Sequence, residues 1–256
     1  MMLPVNLLGT NADDVFHTVE MGFSTLTDFI IDGGNGDDIL RVSNGNDFVD
    51  GGKGEDRLYG GGGDDILRSG NHDDYVNGGR GNDFVSAGAG NDIVYAGSGN
   101  DEILGGSGDD RIFGQKGYNT LDGGTGNDFI DTGRHSSTVT GGTGDDTISV
   151  DLSKGARHVL NGGDGADHFD FGGMVSSRTS ITRVEDFELG VDSFEIDGVS
   201  DVDIMAMFLL DPENADFNIV EREYGTIIKL DSSDNIRLEG LTMEEVLDHY
   251  DDLIIV

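Results

Sequence analysis

Apolar residues recur at every ninth position through the middle of the chain, and this period is never interrupted. The residues beside these positions are more varied and include Arg41, Asp50 and Glu102. Side chains of a β-strand alternate between its two faces. The pattern therefore predicts a short strand in each nine-residue unit, with its apolar residue pointing inward. The thirteen predicted inward residues are Leu40, Val49, Leu58, Leu67, Val76, Val85, Val94, Ile103, Ile112, Leu121, Ile130, Val139 and Ile148.

The rest of each unit is rich in glycine. Units such as GGKGEDRLY (51–59) and GGTGDDTIS (141–149) fit G-G-x-G-x-D-x-U-x, where U is a large apolar residue. We expect the first six residues to form a turn, in which glycines at positions one, two and four adopt positive φ. The last three residues form the strand. A flexible glycine-rich linker would not keep thirteen apolar residues in phase.

Nine residues make half a coil, which predicts an all-β fold: a parallel β-roll (two-sheet β-solenoid) with turns on two edges. The acidic residue at position six then falls into two columns. The first edge carries Asp38, Asp56, Asp74, Asp92, Asp110, Asp128 and Asp146 without a gap. The second edge carries Asp47, Asp65, Asp83 and Asp101, and then fails at Asn119 and Ser137.

The composition indicates that folding needs a cation. The net charge is −36, from 51 acidic residues against 15 Lys and Arg, and the resulting repulsion opposes a compact state. Only 35% of residues are hydrophobic, and there is no cysteine to form a disulfide. Ca²⁺ takes six to eight hard oxygen ligands, which stacked turns of Gly, Asp and Asn can supply. So acidic a chain makes nucleic acid an unlikely partner.

Each calcium ion is expected between two stacked turns of one edge. We predict about six ions on the first edge and about three on the second, hence about nine or more in total. The unit at 132–140 lacks acids and is expected to bind none, and the unit at 114–122 is doubtful. The predicted ligands are Gly34, Gly36, Asp38, Gly45, Asp47, Gly52, Gly54, Asp56, Gly61, Gly63, Asp65, Asp74, Gly79, Gly81, Asp83, Gly88, Gly90, Asp92, Gly97, Gly99, Asp101, Gly106, Gly108, Asp110, Gly124, Gly126, Asp128, Gly142, Gly144, Asp146 and Asp167.

Three regions are predicted: an N-terminal cap (1–32), the roll (33–173) and a C-terminal cap (174–256). In the first, residues 9–17 form a degenerate unit with Asp14 and inward Phe16, and residues 18–32 cover the end of the roll. A twelve-residue interruption (150–161) precedes a last unit (162–170), with Asp167 and Phe169.

The C-terminal region alternates apolar and polar residues, which predicts strands at 180–187, 193–196, 217–220, 226–230 and 235–238. One short helix is expected near 204–210, and another after Thr242, where Thr242 and Glu245 form a capping box. The N-terminus has no basic, apolar leader, so we expect no cleavable signal peptide. No apolar stretch is long enough to predict a transmembrane segment.

The nonapeptides resemble the calcium-binding repeats of RTX (repeats-in-toxin) proteins, also called hemolysin-type repeats. The segments at 184–196 and 225–242 and the terminal DDLIIV (251–256) resemble the C-terminal region of bacterial proteins exported by type I secretion. These include serralysin-type metalloproteases and the R-modules of mannuronan epimerases. The resemblance implies an uncleaved secretion signal at Asp252 and the apolar residues after it, although these could also form a final edge strand.

No catalytic motif is found. The six histidines form no H-E-x-x-H, there is no G-x-S-x-G, and the carboxylates are explained by the repeat. His72 and His135, at position four of their units, are interpreted as glycine replacements, with transition-metal binding as the alternative.

The leading hypothesis is a monomeric, secreted, non-catalytic calcium-binding RTX protein that meets the type I secretion apparatus during export and folds outside the cell. The alternative is a calcium-dependent module that binds a polysaccharide or cell surface, as the epimerase resemblance suggests. A third hypothesis is an enzyme fragment or cryptic hydrolase.

Overall fold

Two long β-sheets, stacked face to face, account for nearly all of the regular structure. The computed structural model describes residues 4–18, 28–152, 156–172, 181–187, 191–196, 218–222, 225–229 and 235–239. Within these residues there are 23 strands, in one sheet of 13 and one of 10. The predicted all-β, two-sheet parallel roll is confirmed.

Strands alternate between the two sheets along the chain. In spatial order, the thirteen-stranded sheet contains β1 (Val5–Thr10), β3 (Phe29–Asn35), β5 (Phe48–Lys53), β7 (Ile66–Asn71), β9 (Phe84–Ala89), β11 (Glu102–Ser107), β13 (Thr120–Thr125), β15 (Thr138–Thr143), β17 (Val159–Asp164), β19 (Ile181–Val184), β23 (Asn235–Glu239), β22 (Gly225–Lys229) and β21 (Asn218–Arg222). The ten-stranded sheet contains β2 (Val15–His17), β4 (Ile39–Arg41), β6 (Arg57–Gly62), β8 (Tyr75–Arg80), β10 (Ile93–Ser98), β12 (Arg111–Phe113), β14 (Phe129–Asp131), β16 (Thr147–Asp151), β18 (His168–Gly172) and β20 (Ser193–Ile196).

Each strand pairs in parallel with the strand eighteen residues later through most of the roll. Val49 lies opposite Leu67, which lies opposite Val85. This register stacks the inward residues of each sheet into one ladder. All thirteen predicted inward residues are buried, with at most 1% of each exposed. The core is therefore two aliphatic ladders facing one another.

The strands are longer and the turns shorter than predicted. Most strands of the repeats have six residues, because positions one to three of the next unit stay in the sheet. Only Gly54, Glu55 and Asp56 separate β5 from β6. The expectation of a six-residue turn was wrong because the first two glycines join the parallel hydrogen-bond ladder, as in the pairing of Gly52 with Gly70.

The first glycine of each unit is required for space and not for conformation. All nineteen predicted ligand glycines, at positions two and four, have positive φ, but the first position does not. A methyl group on Gly51 would lie 2.5 Å from Oδ2 of Asp56 and 2.6 Å from the carbonyl oxygen of Ser69. The first position is therefore a second inward position that admits only small side chains in most units, such as Ala87 and Ala96.

Within residues 33–149, three strands of the ten-stranded sheet, β4, β12 and β14, have only three residues. The two units that begin after β4 and β12 replace the second glycine by Ser43, which lacks positive φ, and by Gln115, at φ 52°. After β14, the second position keeps its glycine, Gly133, but the N–H of Gly133 donates to Oδ1 of Asp131. All three disturbances lie on the second edge.

The degenerate units next to the array extend the roll. Phe16 packs against the core, as predicted. Phe29 and Ile31 are buried in β3, so the predicted cap at 18–32 is wrong for this part, and 19–27 lie outside the described residues. The interruption at 150–161 adds only three residues to the period, because Leu160 lies opposite Val139 and is buried.

All five predicted C-terminal strands are present. β19 and β20 continue the two sheets in parallel, and β21, β22 and β23 form an antiparallel extension. The helices predicted at 204–210 and after Thr242, and the terminal DDLIIV, lie outside the described residues. No helix in the described part of the chain is long and apolar enough to cross a membrane.

Two adjacent glycines test the tight stacking of the turns. Gly63 has φ of 120°, and a methyl group there would overlap the carbonyl oxygen of Gly45. At Gly62 a methyl group would lie 2.8 Å from the side-chain oxygen of Asn44, which can rotate away; the nearest backbone atom is 3.8 Å away, and φ is not positive. Gly63→Ala is expected to destabilise the calcium-loaded roll by more than about 1 kcal/mol, and Gly62→Ala by much less. Urea denaturation of both variants in millimolar Ca²⁺ measures this difference, and equal losses would contradict the stacking.

Candidate calcium sites

The acids at position six form continuous columns held by hydrogen bonds between levels. On the first edge, the N–H of Asp56 donates to Oδ1 of Asp74, 2.7 Å away, and the bond recurs at each level. The column begins at Asp14, whose N–H donates to Oδ1 of Asp38, 2.7 Å away. It continues to Asp167, whose N–H donates to Oδ1 of Asp192, 3.0 Å away. The described first-edge column thus has no gap, as predicted, and Asp192 extends it beyond the residues that the repeat pattern singled out.

In twelve carboxylates of the two columns, the second oxygen is buried and has no hydrogen-bond partner in the described structure. All twelve acidic residues predicted as calcium ligands share this property. An unsatisfied buried polar group costs about 1–3 kcal/mol, and more when it is charged. A cation would supply the partner that these oxygens lack. The twelve residues are Asp38, Asp47, Asp56, Asp65, Asp74, Asp83, Asp92, Asp101, Asp110, Asp128, Asp146 and Asp167.

Burial also shifts the ionisation of the columns. Removal from water raises the pKa of Asp65 and Asp74 from 3.8 to about 8. Burial likewise raises the pKa of Asp101, Asp110 and Asp146 to about 7. The N–H that each carboxylate accepts lowers its pKa, but by less than burial raises it. Without a counter-ion, burial therefore makes the column carboxyls harder to ionise than free aspartic acid.

Backbone oxygens complete the donor set. The turn glycine at position four, such as Gly54 or Gly63, accepts no turn or side-chain hydrogen bond at its carbonyl oxygen among the described residues. No three acidic or imidazole side chains converge anywhere in that part of the chain. Each site must therefore combine one or two carboxylates with backbone carbonyls. An all-oxygen set of this kind suits Ca²⁺ better than a transition metal.

The second edge replaces the missing acids by hydrogen-bond donors. Nδ2 of Asn119 donates to the carbonyl oxygen of Gly114. Oγ of Ser137 donates to the carbonyl oxygen of Thr132, 3.0 Å away. Each donor thus satisfies the carbonyl at position one of its own unit. These two turns are closed by neutral side chains, in keeping with the expectation that the unit at 132–140 binds no calcium.

The next level of the second edge carries a histidine instead of an acid. His158 is 1% exposed, and its Nδ1 lies 3.3 Å from the N–H of Ser137, which donates to it. Burial lowers the pKa of His158 to about 4, so the ring is neutral. A neutral ring at this level extends the charge-free stretch of the second edge.

A second ladder, at position five, was missed by the sequence analysis. Oδ1 of Asp73 accepts the N–H of Asn91, 2.8 Å away, and Oδ1 of Asn91 accepts the N–H of Asp109. These bonds run in the direction opposite to those of position six. The frequent Asp or Asn at position five was the available signal. Because both ladders use side-chain oxygens, each turn is fixed to its neighbours on both sides.

The two histidines at position four behave differently. His72 has φ of 81°, so its interpretation as a glycine replacement is confirmed. His135 does not have positive φ, and the same interpretation was wrong for it. Its Nδ1 instead accepts the N–H of Gly117, 3.3 Å away, and its ring lies 6.4 Å from that of Tyr118.

Comparison with protein families agrees with this geometry. The family model of the RTX calcium-binding nonapeptide repeat matches four segments, 32–67, 68–103, 104–134 and 136–151. Residues 32–151 form an RTX β-roll. RTX nonapeptide repeats bind calcium, and the roll is a structural calcium-binding arrangement and not a catalytic fold. A search of curated proteins found no match to the chain.

RTX repeats are typical of secreted, extracellular proteins. The match covers the repeats and not residues 174–256, so the likeness of that region to type I secretion substrates stays a prediction. Which predicted residues bind calcium, and how many ions the roll holds, also stay predictions.

Neighbouring acids in one turn allow a matched test of the RTX sites. Asp74→Asn keeps the Oδ1 acceptor but replaces the unpartnered oxygen by an amide, so it is expected to lower calcium stoichiometry by at least one ion. Asp73→Asn keeps Oδ1, which accepts the N–H of Asn91, so this variant is expected to bind as many ions as the wild type. Native mass spectrometry gives both counts. Equal stoichiometry in the two variants would contradict the assignment.

Calcium binding to the RTX roll is expected to weaken in acid. A carboxylate whose pKa is raised by folding stabilises the metal-free fold below about pH 4, and this stabilisation is lost as pH rises towards 8. Calcium binds the ionised form, so binding should release protons. Lowering pH from 7.5 to 5.5 should raise the calcium concentration at which half of the chain is folded by about tenfold or more. Calcium titrations followed by circular dichroism at both pH values test this, and a pH-independent midpoint would exclude it.

Proposed function

We propose that this chain is a secreted, non-catalytic RTX protein that is exported unfolded and folds on binding calcium outside the cell. The observation that carries the proposal is the set of twelve buried carboxylate oxygens without partners. A typical domain is stable by only about 5–15 kcal/mol. Several such oxygens, left charged and unpaired, would offset that stability. Folding and calcium binding are therefore one event.

Calcium availability then acts as the signal for folding. Cytosolic calcium lies well below the roughly 10⁻⁴–10⁻³ M range to which extracellular calcium modules are tuned. In the cytosol the turns stay empty, and repulsion within a chain of net charge −36 keeps it extended. An extended chain can pass through a type I export channel. Residues 174–256 resemble the C-terminal region of proteins that are exported by this route. Outside, binding energy becomes folding energy.

A non-catalytic role follows from the chemistry of the described residues. The twelve buried acids belong to the calcium columns, and His158 is enclosed by the roll. The buried acids of the array thus serve the fold, which supports a non-catalytic role.

Circular dichroism of the full chain in chelator and in millimolar Ca²⁺ tests the proposal. We expect a disordered spectrum in chelator and a β spectrum with calcium. Mg²⁺ at the same concentration is the control, because it screens charge equally but demands a smaller, octahedral shell. A chelator-insensitive spectrum, or equal folding with Mg²⁺, would refute coupled calcium binding and folding.

A further inference from the structure

The outer face of the ten-stranded sheet carries a continuous ridge of aromatic rings. Positions seven and nine of each unit point outward there, and five of these residues, on five adjacent strands, place their rings side by side. The centroids of neighbouring rings are 5.6, 5.7, 4.7 and 5.9 Å apart along the ridge. All five residues are half-buried, and they are Tyr59, Tyr75, Tyr95, Phe113 and Phe129.

The ridge has no acids of its own from β4 to β12. Positions seven and nine of these strands include no Asp or Glu, although the chain has 51 acidic residues. The guanidinium of Arg41 lies over the ring of Tyr59, 4.2 Å from its centroid, and that of Arg111 lies over Phe129 at 5.1 Å. Tyr, Phe and Arg are enriched at the centres of protein–protein interfaces. The ridge therefore has the composition of a surface that contacts protein.

An acidic row borders the ridge on the side of the first edge. It consists of the exposed residues at position five, which are joined from level to level. The N–H of Asn91 donates to Oδ1 of Asp73, and the N–H of Asp109 donates to Oδ1 of Asn91, each over 2.8 Å. Asp73 and Tyr75 line the same groove, which has a volume of about 530 Å³. The acidic row and the ridge thus belong to one surface.

A basic row borders the ridge on the side of the second edge. It consists of Arg80, Lys116 and Arg134 at position three, with Ser98 between the first two. All three cations are exposed, and none forms an ion pair among the residues that the structure describes. A second groove, of about 680 Å³, lies beside this row and has glycine backbone such as Gly97 in its lining. The face therefore has an acidic side, an aromatic middle and a basic side.

The two rows match strand by strand. Asp73 precedes β8, which ends at Arg80, and Asp109 precedes β12, which is followed by Lys116. Between them, β10 has neutral residues at both places. The acid and the base of one strand are roughly 20 Å apart, at the rise of an extended chain, so they do not pair within one molecule. A second copy in the reversed orientation brings them together.

We propose that two calcium-loaded copies of the chain pair through this face, with the ridges in contact, about a two-fold axis parallel to the roll axis. This rotation reverses the strands, so Asp73 faces the partner's Arg80 and Asp109 faces the partner's Lys116. One patch is used by both copies, as in most symmetric dimers. The strands of the two facing sheets stay nearly aligned, as in other packed sheets. A two-fold axis along the strands would instead place acid against acid.

The inference depends on the proposed function, because the face exists only in the calcium-folded roll. It departs from the monomer that the sequence predicts. A net charge of −36 on each copy opposes pairing, and about nine calcium ions would neutralise about half of it. Calcium is thus needed both to form the face and to reduce the repulsion between copies.

Sedimentation equilibrium of the full chain, over a series of protein concentrations in millimolar Ca²⁺, tests the pairing. The mass should approach twice 27.2 kDa as the concentration rises. Ile93→Glu places an acid beside the ridge and should raise the dimer Kd about tenfold or more. The matched control is Ile66→Glu, because Ile66 has the same position seven on the outer face of the other sheet. This control should leave Kd unchanged.

A mixing experiment tests the orientation. Lys116→Glu and Asp109→Lys each place like charges opposite one another in a dimer of identical copies, so each should raise Kd about tenfold. Mixed in equal amounts, the two variants restore opposite charges at both contacts, and the mixture should dimerise like the wild type. Circular dichroism checks that each variant folds with calcium, because Asp109→Lys removes the acceptor of the N–H of Asn127.

Other outcomes overturn the inference. A chain that folds with calcium but stays monomeric at every concentration would refute the dimer and leave the proposed function standing. Equal effects of Ile93→Glu and Ile66→Glu would place the contact elsewhere. If both charge variants fold and their mixture is no more dimeric than either alone, the two-fold arrangement is wrong. Failure of the wild type to fold with calcium would instead refute the proposed function.

Discussion

The structure depends on one constraint, which is that a column of carboxylates is buried along each edge of the roll. One oxygen of each carboxylate holds the preceding level through a backbone N–H, as between Asp56 and Asp74, and the other oxygen has no protein partner. The aliphatic core is too thin to bury such charges alone. A cation between the turns would satisfy that second oxygen, and the parallel sheets, the small residues at position one and the glycine turns all accommodate the buried carboxylates.

Much of this architecture could be predicted because every unit has the same sequence pattern and therefore forms the same local structure. The inward ladder from Leu40 to Ile148, the two parallel sheets and the two acidic columns follow from a nine-residue period and strand alternation. All of these are present. The same period also predicted where the second column fails, at Asn119 and Ser137.

The remaining features depend on contacts made in the folded turns, within a unit or between levels, which the repeat pattern does not reveal. The glycines at position one are strand residues, and a larger side chain there would collide with Oδ2 of the acid five residues later. The second ladder, at position five, joins residues on different levels. The hydrogen bonds donated by Asn119 and Ser137 go to carbonyl oxygens that come close only in the folded turn. The glycine-replacement interpretation was wrong for His135 because its ring accepts a hydrogen bond from Gly117, on the preceding level of the same edge. Outside the repeats, strand alternation predicted β19–β23, but not their order in the sheet.

The eighteen-residue register has a consequence for how such a chain can change in length. Adding or deleting two units moves later residues by a whole coil and leaves every acid on its own edge. Adding or deleting one unit exchanges the sheets and transfers every later acid to the opposite edge. The three extra residues between Val139 and Leu160 preserve this parity, because they are accommodated at one level without shifting the alternation. The roll can therefore grow or shrink only in even steps if each column of acids is to stay on its own edge.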